Sequence, residues 1–267
     1  MIIKGLPKFS TEKELFDFLV QHEDTIFSQA KTQIKEADSI GAAPILLKQD
    51  FSNKTQKEVG EELLLKDQIN VKTVINTTGI LDSHDDVHIP KLWDKSLQEN
   101  KRMLHVQEHK SREFDKIISS GEDLKAYTKN FDWKELGYNF EGKTQALMFD
   151  SNVKKERNEY MFNQYAKGYV DNHSVGMYYV KLQTCINHED YPVQKENFDK
   201  YEQYIVNRKA LDGRKVFWAV TEAKAIEGSA VPMGSNPFTP TTSTKTHKQY
   251  NSRDAEKQAL IDWMKKL

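Results

Sequence analysis

The sequence predicts an α+β domain. Strand-type alternation recurs along it: Val71, Thr73 and Ile75 alternate with Lys72, Val74 and Asn76, and Val175, Met177 and Tyr179 alternate with Gly176, Tyr178 and Val180. Helical spacing appears in two places, through Leu15, Phe18, Leu19, Ile26, Phe27 and Ala30, and through Met161, Phe162 and Tyr165. Hydrophobic residues make up 37% of the 267 positions and charged residues 30%, which implies one modest core with solvated helical or tail segments.

Taken in order, residues 10–37 read as a helix, with Ser10 and Thr11 as N-caps and Glu12 and Glu14 in the first turn. Gly41 and Pro44 break that pattern, and residues 1–68 read as a helical N-terminal appendage or propeptide. The same segment could equally be the first helix of the main domain. The strand from Val71 leads through Thr77-Thr78-Gly79 into an acidic stretch, Asp82 to Asp86, and a short helix near 91–101. Met103 to His109 alternates again, and 114–118 suggests a further short strand.

Gly121, Gly137 and Gly142 punctuate the rhythm of a meandering sheet, with Gln145 to Phe149 its clearest strand. A helix over 153–168 stops at Gly168 and runs straight into the strand that carries Ser174. Residues 187–213 read as a helical insertion. Strands follow over 215–220 and 223–231, and Pro232 to Pro237 ends a main domain of residues 69–237. Residues 238–267 read as a flexible Thr/Ser/Lys-rich tail with a short helix over 253–266.

Composition excludes several classes. A net charge of −1 carries no nucleic-acid footprint. No apolar run reaches 18 residues, so no membrane span is expected, and the N-terminus lacks the apolar region of a secretory signal. The single cysteine, Cys185, rules out an intramolecular disulfide framework and reads as a buried small hydrophobe.

Ser174 starts a rigid strand, and a strand fixes where a hydroxyl points; Gly176 leaves room for a close approach. A serine hydroxyl needs a base within reach and a third group to orient that base. His109 and His105 are the candidate bases, at the end of a strand. His173 is less suitable, because neighbours on a strand point to opposite faces. Glu227 is the one acid in a small, apolar run, Ala225 to Val231. Two His-x3-His pairs, His84/His88 and His105/His109, and the aspartates Asp82, Asp85 and Asp86 raise the separate idea of a metal site; an acidic turn is the simpler reading.

The order of these motifs resembles the prohead (capsid-maturation) serine proteases of tailed bacteriophages, distant relatives of the herpesvirus assemblins. The carrying residues are Gly79, Asp82, Ser83, Asp86 and Pro90, then His109, then Ser174-Val175-Gly176, then Glu227 to Val231 and Asn236-Pro237. The resemblance covers roughly residues 70–237.

What this resemblance implies is a small closed β-barrel ringed by helices, with Ser174 as nucleophile, His109 as base and Glu227 as the third member. It implies a peptide-bond hydrolase that cuts scaffolding protein and the extension of the major capsid protein, and often itself. Such a protein would act in the host cytoplasm, inside the immature capsid. No cofactor, metal, nucleic acid or membrane is expected, and a homodimer is allowed. The residues after His109 lack the family's Pro and Gly, so His105 stays the alternative base. Two rival readings are a non-enzymatic capsid or scaffold component with the same fold, and a metal-dependent hydrolase built on His84, His88 and the nearby aspartates.

Overall fold

A computed structural model describes residues 7–32, 62–100 and 102–246. The predicted terminal helix over 253–266 and much of the N-terminal segment lie outside the described residues. The protein is α+β, with two sheets and helices packed around them.

The first sheet has the order β5-β6-β1-β9 and is antiparallel throughout. Its members are β1 (Gln68–Thr77), β5 (Leu124–Asp132), β6 (Lys143–Lys154) and β9 (Thr241–Thr246). The second is organised on β8 (Val216–Ala230). The strands β2 (Asp86–His88) and β3 (Leu104–Gln107) run parallel to it along one edge, and β4 (Ile117–Ser120) extends the sheet from β3. The long antiparallel strand β7 (His173–Ile186) covers its other edge.

The sheets pack through Ile75, Leu147 and Phe149 on one side and Met177, Val220 and Ala225 on the other, all buried in one cluster. Gly228 marks a close approach: a Cβ there would lie 2.6 Å from the Phe149 ring and 2.8 Å from Ile75. Among the described residues the ladders form two sheets, and neither closes on itself into the expected barrel. The β7–β8 ladder shifts register at bulges, at 176/177 and between 179 and 182.

The helix expected over 10–37 is two helices, α1 (Glu12–Gln21) and α2 (Glu23–Thr32). Thr11 caps α1 by accepting from the Glu14 N–H. His22 lies between the two helices, its backbone N–H and a ring nitrogen both bonding the Phe18 carbonyl at 3.0 Å. Phe16 and Leu19 of α1 are buried, and Phe16 meets the Tyr191 ring edge-on at 5.7 Å. Tyr191 also bonds Asp17, and Lys215 pairs with Glu12. Burying two such side chains is worth about 1.5–3 kcal/mol each, so α1 is held on the core as a packed element.

The next helix is α3 (Asp94–Glu99). After it comes α4 (Glu159–Ala166), where Asn158 caps the first turn and Met161, Phe162 and Tyr165 are buried. The 187–213 segment contains α5 (Pro192–Glu202), whose Phe198 and Tyr201 pack on Phe217 and Val87.

The tail expected to be flexible from 238 onward is ordered as far as 246. Thr239 is fully buried, and Thr241–Thr246 forms β9 on the edge of β1. Its threonines are β-branched, and an edge strand tolerates a polar outer face, so low hydrophobicity does not prevent pairing.

Candidate active site

The last four residues of β8 lie between two strands. On one side β3 pairs in parallel, Leu104 with Glu227 and Val106 with Ser229. On the other, β7 pairs antiparallel, Gly176 with Glu227 and Ser174 with Ser229. Residues two apart on a strand, and residues directly opposite across a ladder, share a face. Glu227, Ser229, Ser174 and Gly176 therefore occupy one face of the sheet.

His109 reaches that face by a turn. Beyond β3, Glu108 and His109 both have positive φ, 50° and 59°, an uncommon left-handed pair for residues with side chains. Three contacts hold the turn on β8. The Glu108 N–H donates to the Ala230 carbonyl at 3.0 Å, and the His109 N–H donates to Ser229 Oγ at 2.9 Å. The His109 ring meets Glu227, with Nδ1 2.6 Å from Oε1. Ser229 Oγ in turn donates to Glu227 Oε2 at 2.6 Å. The result is a closed circuit of His109, Ser229 and Glu227.

This circuit assigns the protons. A carboxylate only accepts, so Nδ1 carries the imidazole hydrogen and Nε2 is the basic nitrogen. Glu227 is 2% exposed, and the His109 side chain 8%. Gly176 makes the arrangement possible: a Cβ at that position would stand 2.1 Å from Glu227 Oε1 and 2.8 Å from its carboxyl carbon. The glycine of Ser-x-Gly is the gap into which the carboxylate fits. Ser174, two residues away on the same face, is 7% exposed.

His105 has different surroundings. It is fully buried, with Nδ1 2.9 Å from Ser151 Oγ and Nε2 2.9 Å from the Tyr165 hydroxyl. It pairs with Gly228, so it faces the opposite side of the sheet from Glu227. Burial, reinforced by the neighbouring His173, holds its pKa well below the ordinary histidine value. Ser174, His109 and Glu227 are thus brought to one face, while His105 lies behind it.

The acidic stretch is a hydrogen-bonded turn. Asp82 Oδ1 accepts from the N–H groups of His84 and Asp86, Asp86 accepts from the Tyr179 hydroxyl, and Asp85 pairs with Arg214. Asp82, Asp86 and His88 nevertheless bring donor atoms within 4.8 Å of one another, a set that could hold a divalent cation. Cys185 is buried, and burial pushes its thiol pKa up, which suits packing and not nucleophilic work.

A cavity of about 10 Å³, enough for roughly one water, touches Ser174, Asn76, His84, His88, Ser235 and Asn236. The loop bearing Ser235 is tied to the start of β7, since the Gly234 N–H donates to Asn172 Oδ1 at 2.8 Å. The backbone N–H groups of Ser235 and Asn236 make no hydrogen bond among the described residues.

Two contributions escape a reading of the sequence. Ser229 is one; its place two residues after Glu227 on a strand is the available signal. Tyr165 is the other; helical spacing turns it inward, but nothing local marks the partner of its hydroxyl. Among the described residues no helix is long and apolar enough to cross a membrane. No family model, curated protein or solved structure matches the chain.

Proposed function

We propose that the protein is a serine endopeptidase of the prohead-maturation type, with Ser174 as nucleophile, His109 as base and Glu227 orienting the base. The observation that carries this reading is the His109–Glu227 contact on the face that Ser174 shares. His109 Nε2 takes the Ser174 proton as Oγ attacks the peptide carbonyl, and then returns it to the leaving amine. Glu227 keeps Nδ1 protonated and stabilises the imidazolium that forms. The unused N–H groups of Ser235 and Asn236, beside Ser174, are the donors available to a developing oxyanion.

Scaffolding protein and the major capsid protein extension are the proposed substrates, cut inside the immature capsid in the host cytoplasm. The assemblin-like barrel belongs to the same proposal. The sheet packing at Gly228 supports it, as two faces of one core.

The test is labelling by a fluorophosphonate probe, together with the intact mass of co-expressed substrates. Wild-type protein should label at Ser174 and process its substrates, and Ser174→Ala should do neither. Processing by Ser174→Ala would end the assignment. A non-enzymatic assembly role is the outcome if neither protein labels or cleaves. Activity that a chelator removes would instead favour a metal-dependent hydrolase using Asp82, Asp86 and His88.

A further inference from the structure

Behind the candidate site runs a second, fully buried chain of polar groups. Ser151 Oγ lies 2.9 Å from His105 Nδ1, and His105 Nε2 lies 2.9 Å from the Tyr165 hydroxyl. That hydroxyl lies 3.0 Å from His173 Nε2, and His173 Nδ1 lies 2.8 Å from the Thr239 carbonyl. Tyr165 is 1% exposed, and Ser151, His105 and His173 are all at 0%.

The end of this chain sets its direction. A carbonyl only accepts, so His173 Nδ1 must carry a hydrogen. Burial lowers the His173 pKa to about 4 and holds His105 lower than its ordinary value, so both rings are neutral near pH 7. A neutral His173 then accepts at Nε2, and Tyr165 must donate to it. The Tyr165 oxygen can only accept from His105 Nε2–H, which leaves His105 Nδ1 to accept from Ser151. Every hydrogen is accounted for, and the two histidines are opposite tautomers.

The chain links the two strands that carry the proposed chemistry. His105 is on β3, four residues before His109, and His173 directly precedes Ser174 on β7. They pair with Gly228 and Ala230 of β8, so both rings lie on the face opposite Glu227 and Ser229. Gly228 has no side chain to hold β3 and β7 at a set separation there. The backbone of His173 is pinned as well, its N–H to Thr239 Oγ1 at 3.0 Å and its carbonyl from Thr239 Oγ1 at 2.7 Å.

We infer that Tyr165 is a positioning residue, whose hydroxyl bridges His105 and His173 behind β8 and so fixes the separation of Ser174 from His109. This rests on the protease reading given above. A displacement of a few tenths of an ångström to one ångström between nucleophile and base costs up to about 100-fold in rate.

The experiment compares fluorophosphonate labelling rates of Tyr165→Phe with those of Phe162→Leu, a change on the same helix in the same apolar cluster but outside the chain of polar groups. Tyr165→Phe should label about 10- to 100-fold more slowly, while Phe162→Leu, which loses stability, should stay within about twofold. If Tyr165→Phe does not fold, Ser151→Ala interrupts the far end of the chain and should slow labelling several-fold. Nitrogen-15 spectra of the Ser174→Ala protein should show His173 protonated at Nδ1 and His105 at Nε2. Identical tautomers, or wild-type labelling by the variants, would overturn the inference. A wild-type protein that never labels would count against the protease reading, and the spectra would still test the chain.

Discussion

Gly176 and Glu227 face each other across the β7–β8 ladder, and the glutamate carboxylate fills the volume that a side chain at 176 would need. A Cβ placed 2.1 Å from Oε1 has no room unless the glutamate side chain moves. Gly176→Ala should therefore displace Glu227 from His109. Overpacking of this kind costs about 1–3 kcal/mol. Fluorophosphonate labelling should fall by about 10²–10⁴-fold, the range for losing a positioned acid–base group. The same variant with a wild-type labelling rate would separate Glu227 from the chemistry.

Ser229 holds both the carboxylate and the backbone of His109. Ser229→Ala removes the donor to Oε2 and leaves the His109 N–H without its acceptor. A buried group left unsatisfied costs about 1–3 kcal/mol. Both melting temperature and labelling rate should fall, the rate by less than in Gly176→Ala, because the His109–Glu227 contact remains. Equal losses in the two variants would mean that Ser229, and not the carboxylate, positions the ring.

His105 and His109 should separate cleanly when each is changed to alanine. The His109 side chain is only 8% exposed and is the partner of buried Glu227, so His109→Ala should abolish labelling and also cost stability by leaving that carboxylate without the ring. His105 is buried among Ser151, Tyr165 and Phe149, so His105→Ala opens a cavity and strands two polar groups. It should cost about 2–5 kcal/mol, read as urea midpoint. If His105→Ala folded normally and lost all labelling while His109→Ala kept it, the base assignment would reverse.

The difference between those two histidines shows where the sequence is legible and where it is not. Four residues apart on an unbroken strand, they would share a face. The left-handed pair Glu108–His109 takes the second off the strand and round to the other face. Neither residue is a glycine or asparagine, so no local signal announces that turn. The shared face of Ser174, Gly176 and Glu227 has local signals, because strand periodicity and an acid in an apolar run are local patterns. Ser229 and Tyr165 gain their places from ladders and packing between segments far apart in sequence. The 241–246 strand reads as a tail from sequence alone because polarity masks its β-branched content. The division of the strands into two sheets, and the register shifts in the β7–β8 ladder, are likewise not revealed by alternation.

Acid should weaken the fold through the buried histidines. His173 has its pKa lowered from 6.5 to about 4, chiefly by burial, so in that interval the unfolded chain binds the extra proton. A folded-state pKa below the unfolded value means stability present above about pH 6.5 and lost as pH falls toward 4. At 1.36 kcal/mol per pH unit the shift is worth about 3 kcal/mol. His105 acts in the same direction. The urea midpoint should fall steeply between pH 6.5 and 4, and the slope should be shallower in His105→Ala. A flat profile through that interval would mean that water reaches these rings.

The 241–246 segment supplies the fourth strand of the first sheet, along β1. Without it, the backbone donors and acceptors of Ile69 to Thr73 become an open edge, and Thr73, Ile69 and Val71 lose cover. Thr239 would remain to hold His173, yet the chain that follows would no longer anchor it. Deletion from Thr241 onward should therefore lower the melting temperature by several degrees, since each kcal/mol moves a chain of this size by about 2–4 °C. It should also promote association through the exposed β1 edge, visible in light scattering. Labelling of Ser174 should slow with it, because Thr239, which holds the residue before the serine, is no longer fixed by the strand that follows it. A truncated protein that stays monomeric, with unchanged melting and labelling, would show that β9 contributes nothing to either the sheet or the site.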